Sequence, residues 1–233
     1  MKEHNYLIGY GSLMEEESRT RTTPNAKVAF PISVSGLMRG WFARTDVAGL
    51  TTTFLGCVRR EEPGCNYRMN AVIYRTTKEE LAATDKRELN YKREQVPVEA
   101  INDYVSVLPK NAKVWVYLNK FTTEEPMEKA FPTKEFPIVQ SYVDICINGC
   151  LEMEARYPEA KKKQFAKDFL TTTYHWSSFW VNDRVYPRRP FIFRPNAYDI
   201  DALIKEYLPA IVRGDSSSHS TEIGDCLAQG FNF

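Results

Sequence analysis

The sequence predicts an α+β fold or an α/β barrel-like sheet: a mixed or antiparallel sheet with helices added later along the chain. Three observations carry this. The first third is a series of strand-like runs interrupted by glycines. Helical apolar spacing is concentrated after Pro137. Nothing alternates with the regularity of a βαβ array, so strands and helices are segregated along the chain.

In chain order, Asn5-Tyr6-Leu7-Ile8-Gly9 is a short strand that ends abruptly in Tyr10-Gly11-Ser12-Leu13. Lys27 to Phe42 is rich in β-branched and aromatic residues and is broken by Gly36 and Gly40, which marks a bend or bulge in a curved sheet. Thr51 to Val58 is a further strand, Glu61-Glu62-Pro63-Gly64 a turn, and Met69 to Tyr74 a strand expected to form a hairpin with the one before it. Thr77-Lys78-Glu79-Glu80 has the form of a capping box, with Thr77 as N-cap and Glu80 three residues on. The helix it opens is expected to reach about Asn90. Arg93 to Ile101 alternates polar and apolar residues, with Pro97 favouring an edge or bulge, and Lys113 to Leu118 is another strand.

Phe121 to Phe136 is a polar, Pro-marked connection. Ile138 to Arg156 then carries apolar residues at helical spacing (Val139, Tyr142, Val143, Ile147, Leu151). Lys161 to Thr172 predicts an amphipathic helix, Tyr174 to Trp180 is an aromatic cluster, and irregular Pro-rich chain runs to Pro195. Asp199 to Leu208 predicts a last helix, and the Gly/Ser-rich stretch from Gly214 to Ser220 predicts a mobile tail.

The 233 residues suffice for a real core without staples. A formal net charge of +1 argues against a dedicated nucleic-acid or polybasic membrane binder. No apolar stretch is long enough to span a bilayer, and the start, Met1-Lys2-Glu3-His4-Asn5, lacks a signal-peptide apolar region. Five cysteines without framework spacing fit free thiols in a reducing compartment, so a cytoplasmic location is the default expectation. Cys146 and Cys150 lie four apart on a predicted helix with no His pair, which fits packing thiols and no metal site.

Two segments carry chemistry. A strand ending in Gly9-Tyr10-Gly11-Ser12-Leu13 exposes successive backbone N–H groups, and glycine permits backbone angles that let them converge on a carboxylate or polarised carbonyl. Ser12 adds a hydroxyl. The alternative is a tight turn that merely connects two elements. Position 14 is Met, so no dinucleotide fingerprint is completed, and Ser12 does not sit in a nucleophile elbow. The second segment is Asp85-Lys86-Arg87-Glu88-Leu89-Asn90-Tyr91. Glu88 shares a helix face with Leu81, seven residues earlier, with Asp85 between them. A carboxylate taken from water there has its pKa raised, which suits a group that accepts and returns a proton near neutrality. The alternative pairs Glu88 with Lys92 on a solvated helix end, with Asp85 a surface charge or a support for Arg93.

These two segments occur together, in this order, in the γ-glutamylcyclotransferase-like superfamily, which the chain resembles. The matching residues are Tyr10-Gly11-Ser12-Leu13, Asp85-Lys86-Arg87-Glu88, and Tyr91-Lys92-Arg93-Glu94-Gln95-Val96. Looser matches are Trp115-Val116-Tyr117 and the helix carrying Tyr142 and Gly149. The resemblance implies a small barrel of mixed strands with outer helices and a cavity at one end, over residues 1–157, with 158–233 as an extension packed on the same domain. It also implies cyclisation of a γ-glutamyl amine or peptide to 5-oxoproline, with release of the amine. Glu88 then matches the catalytic acid/base. Tyr10, Gly11, Ser12 and Leu13 hold the glutamyl moiety, and Tyr117 and Tyr142 line the pocket. The implied partner is a small γ-glutamyl substrate, without cofactor, metal, nucleic acid or membrane, and a homodimer stays open. The chain departs from the family in Leu89-Asn90 after Glu88, where glycine commonly follows, and in its extra C-terminal third.

Two rival functions stand beside this one. In the first, a non-catalytic module binds a γ-glutamyl-like ligand in the same pocket, and aromatic residues of 174–180 plugging the cavity would favour it. In the second, an amide hydrolase uses His175 as base and yields free glutamate. The patch Tyr186-Pro187-Arg188-Arg189-Pro190 with Arg194 could grip an anionic tail or RNA, although paired arginines on such loops are usually solvated or salt-bridged.

Overall fold

The structure, a computed structural model, describes residues 4–45, 51–60, 65–87, 91–188 and 196–208. The Glu61–Gly64 turn, Glu88 and the 214–220 tail lie outside the described residues.

Strand β1 (Asn5–Gly9) runs into a short 3-10 turn (Ser12–Met14) and helix α1 (Glu16–Thr22). Strands β2 (Ala29–Ser35), β3 (Leu37–Thr45), β4 (Thr52–Arg59) and β5 (Arg68–Thr76) follow, then helix α2 (Lys78–Arg87). Next come β6 (Tyr91–Val96), β7 (Ile101–Asp103) and β8 (Lys113–Asn119). The later part comprises β9 (Ile138–Val139), α3 (Gln140–Arg156), α4 (Pro158–Lys162), α5 (Phe165–Thr171), β10 (Thr173–Tyr174), β11 (Trp180–Val181) and α6 (Ala197–Tyr207).

Six strands form one mixed sheet in the order β6-β8-β1-β5-β2-β7, with β1 parallel to β8 and antiparallel to β5. A second sheet has the order β10-β3-β4, and β11 and β9 make a third, two-stranded one. The expected hairpin between β4 and β5 is not formed. Instead β4 pairs with β3, and β5 lies between β1 and β2. Gly36, with φ 76°, makes the sharp β2–β3 connection and donates its N–H to Tyr67 O (2.8 Å). Only glycine adopts this left-handed backbone without cost. The predicted irregularity near Gly40 is a register shift between Trp41 and Ala43.

Pro97 does more than mark an edge. It ends β6, and after a 3-10 turn (Val98–Ala100) the chain re-enters the same sheet as β7, at the opposite edge. Five interstrand steps across a flat sheet would span about 24 Å, whereas the chain from Val96 to Ile101 reaches at most about 18 Å. The sheet must therefore curl. Among the described residues no ladder joins β6 to β7, so it is an open, barrel-like sheet and not a closed barrel.

Strand alternation sorts the side chains into two cores. Tyr6 and Ile8 of β1, Ala71 and Ile73 of β5, and Val114, Val116 and Leu118 of β8 form an apolar cluster on one face. Leu7, Val72, Tyr74 and Tyr117 point the other way and pack with Tyr142, Val143, Cys146, Ile147 and Cys150 of α3. Phe165, Phe169 and Leu170 of α5 and Ile200 and Ile204 of α6 belong to this second cluster. The single helix expected over Lys161–Thr172 is broken into α4 and α5 at Gln164, whose φ is 52°.

Candidate active site

The strand-end loop is built from behind. Met14 N–H donates to Gly11 O (2.9 Å), and Glu15 N–H donates to Ser12 O (3.3 Å). The Arg19 guanidinium donates to Leu13 O and Met14 O, each at 3.0 Å, and also to Ala26 O and Lys27 O. Arg39 donates to Tyr10 O (3.3 Å). Every carbonyl from residue 10 to residue 14 is thus taken by the protein itself. The amides of Gly11, Ser12 and Leu13 make none of these bonds, and all three residues line a cavity of about 340 Å³. A volume of this size is at the small end of ligand pockets.

The glycines serve space rather than backbone angle, which departs from the expectation. Gly11 has φ −123°, and the only positive-φ glycine among the described residues is Gly36. A Cβ on Gly11 would come within 2.6 Å of Tyr142 Oη, and one on Gly9 within 2.8 Å of Leu13 Cβ. On α3, a Cβ on Gly149 would stand 2.5 Å from Glu15 N and Met14 C. Gly149 is therefore what lets helix α3 support the loop backbone directly.

Five tyrosines line the cavity: Tyr10, Tyr74, Tyr91, Tyr117 and Tyr142. Ser12, Thr23 and Thr84 contribute hydroxyls, and Leu7, Leu13 and Leu55 contribute apolar wall. The Tyr117 hydroxyl donates to Asp85 Oδ1 (2.8 Å), and Asp85 is also paired with Arg93 (3.3 Å), which stacks over Trp115. Tyr10 Oη donates to Tyr117 O (2.9 Å). These bonds tie α2 to β8 and both to the loop. Tyr142 is fixed by Phe54 (centroids 4.6 Å apart) and Trp41 (5.9 Å).

Helix α2 opens with the predicted capping box: Glu80 N–H donates to Thr77 Oγ1 (3.1 Å), and Thr77 N–H donates to Glu80 Oε2 (3.0 Å). Leu81 is buried, as its face requires. The described part of the helix ends at Arg87, and Glu88 itself lies outside the described residues. On either side of it in the chain, Thr84 and Tyr91 both line the cavity.

The structure therefore gathers Tyr10, Gly11, Ser12, Leu13, Tyr117 and Tyr142 around one hollow. None of residues 174–180 is in the lining. Trp176 packs on Trp41 and Trp180, behind Tyr142. His175 lies elsewhere too, stacked on Phe131 (4.0 Å) and edge-on to Phe42, and burial pushes its pKa down to about 4.

Sequence reasoning missed three buried charges beside the loop. Arg19 and Arg39 are fully buried, and desolvation lowers both pKa values, that of Arg39 to about 10. Glu15 caps α1 by accepting from Ser18 N–H (2.6 Å), and burial pushes its carboxyl up to about 7. The signal available in the sequence was their position, within or facing runs of core residues. Arginine and glutamate are read as surface residues unless a partner is visible.

No protein-family profile matches the chain, and no curated protein matches it. Solved structures resemble it at low identity. An uncharacterized protein from Homo sapiens superposes with a TM-score of 0.48 and 14% identity, over 70% of this chain and 88% of that one. A structure described as gamma-glutamyl cyclotransferase gives 0.47 and 14%, over 70% and 87%. A yeast gamma-glutamyl cyclotransferase described as specific to glutathione gives 0.43 and 12%, over 94% and 100%. Two of these three solved structures are described as gamma-glutamyl cyclotransferases. Among the described residues, no helix is long and apolar enough to cross a membrane, and no cluster of three or more His, Cys, Asp or Glu could hold a metal.

Proposed function

We propose that the protein cyclises a γ-glutamyl amine or peptide to 5-oxoproline, releasing the amine, with Glu88 as the general acid/base. One observation carries the reading. The loop residues Tyr10–Leu13, Tyr117 and Tyr142 line a single cavity, together with Thr84 and Tyr91 from either side of Glu88.

The reaction asks little beyond what such a site offers. The substrate's α-amine attacks its own γ-carbonyl carbon, forming the ring C–N bond. Proximity within one molecule already supplies much of the rate. Donors at Gly11, Ser12 and Leu13 stabilise the carbonyl oxygen as it gains charge. Glu88 takes the proton that the amine sheds and delivers it to the leaving nitrogen as the old C–N bond breaks. The glutamyl α-carboxylate and the carbonyl oxygen both need N–H or O–H donors, and the tyrosines and loop amides supply them.

A second reading is binding without turnover. It needs only the cavity and its donors, and no proton-transferring group. Incubation with γ-glutamyl amino acids, γ-glutamyl-lysine and glutathione, followed by quantitation of 5-oxoproline, separates the two. Cyclisation requires product from at least one substrate and a rate about 10²–10⁴ lower in Glu88→Gln. Absence of product from all of them, or full activity in Glu88→Gln, refutes it. Ligand binding without product selects the binding module.

A further inference from the structure

Arg39 is a fully buried cation behind the loop that lines the cavity. Its guanidinium donates to the carbonyls of Tyr10 (3.3 Å), Asn70 (2.7 Å) and Phe169 (3.1 Å). It also donates to Asn70 Oδ1 (2.9 Å) and to the hydroxyls of Thr172 (3.2 Å) and Thr173 (2.8 Å), and it lies over the Phe169 ring. Every one of these acceptors is neutral. Asp168, next to Phe169 in sequence, is held by a two-bond pairing with Arg68. The bonds that Arg39 makes offset part of the several kcal/mol that it costs to take a cation out of water, but they leave its charge unneutralised. Such a charge projects a positive potential into whatever low-dielectric space adjoins it.

The adjoining polar unit is the Tyr10–Gly11 peptide. Its oxygen faces Arg39. In a trans peptide, the C=O and N–H of one unit point in opposite directions, and no described peptide bond is cis. The Gly11 N–H is therefore directed away from the guanidinium, and Gly11 lines the cavity. Hydrogen bonding to the oxygen of an amide polarises the whole unit and strengthens its N–H as a donor.

We propose that Arg39 is a positioning residue that acts through the Tyr10–Gly11 peptide, making the loop a receptor for a carboxylate-bearing ligand. The guanidinium supplies the countercharge without touching that ligand. The proposal rests on reading the Gly11 loop as the glutamyl-binding element, but it concerns binding and does not need turnover. The C-terminal part of the chain then contributes to the site from behind, because Phe169, Thr172 and Thr173 hold Arg39 in place.

The test uses the full chain, labelled with ¹⁵N and titrated with 5-oxoproline and with its neutral carboxamide. In the wild-type protein the carboxylate should bind at least tenfold more tightly than the carboxamide, and the Gly11 amide proton should move downfield as it binds. Arg39→Met should abolish the Gly11 shift and the preference, and Arg39→Lys should restore most of the preference. Equal wild-type affinity for the two ligands overturns the proposal even if Arg39→Met fails to fold. So does an unchanged Gly11 shift in folded Arg39→Met. A protein that shows this preference yet makes no 5-oxoproline refutes cyclisation and keeps the role of Arg39. Turnover with no preference does the reverse.

Discussion

Gly149→Ala isolates the contact between helix α3 and the loop. On an unencumbered helix the change should stabilise, because an interior glycine costs about 1 kcal/mol relative to alanine. Here the new methyl would sit 2.5 Å from Glu15 N and Met14 C, about 1 Å inside ordinary van der Waals contact. Both atoms are backbone, so no rotamer change relieves the overlap. Overpacking of this kind costs about 1–3 kcal/mol, which outweighs the propensity gain. The alternative to strain is movement of residues 12–15 by about 1 Å, which on the proposed cyclisation would lower the rate by about 10² through misplaced donors. Urea denaturation and the 5-oxoproline assay read the two consequences separately. A variant that is more stable than wild type by the full propensity increment, with its activity unchanged, would refute the packing argument.

Two further predictions concern buried charge. Glu15 has a folded-state pKa of about 7, above the ordinary glutamate value of 4.5. The folded protein thus binds more protons than the unfolded chain between these values, and stability should fall as pH rises from about 4.5 to about 7. The loss is on the order of 3 kcal/mol at its upper limit. Glu15→Gln should flatten that segment of the stability–pH curve in thermal melts, and an unchanged slope would assign it to other groups. Arg184 makes two-bond pairings with Asp144 of α3 and Asp201 of α6, and both raise its pKa further. Arg184→Met takes this cation away from the buried Asp144 carboxylate and should cost about 3 kcal/mol in chemical denaturation. A loss below about 0.5 kcal/mol would mean that the pairing behaves like a surface ion pair.

Local signals are legible in the sequence, and long-range pairings are not. The strand ending at Gly9, the Thr77/Glu80 capping box and the apolar periodicity of α3 are each written in a few consecutive residues, and each is present. The partner of β5 differs from the expected one because strand adjacency depends on the whole sheet: β4 and β5 are neighbours in sequence but belong to different sheets. The run around Pro97 reads as one strand because its alternation continues across the proline, and nothing local shows that the second half crosses to the far edge. At the site, the tyrosines and the glycine loop are visible as residue types. The burial of Arg19 and Arg39 is not, because many of their acceptors are backbone carbonyls, which every residue carries and no residue type announces.

The place of β1 in the sheet has a consequence for synthesis. This strand is made before either of its neighbours, and its parallel partner begins at Lys113, opposite Asn5. At about 5–20 residues per second, a ribosome needs on the order of ten seconds to travel from one to the other. For that interval the apolar segment Tyr6–Ile8 has no completed site in the sheet, and the glycine loop behind it has no α3 to rest on. Slow, long-range closure of this kind exposes a nascent chain to association with others, so a chaperone that holds the early segment should raise soluble yield more than one that acts on the finished chain.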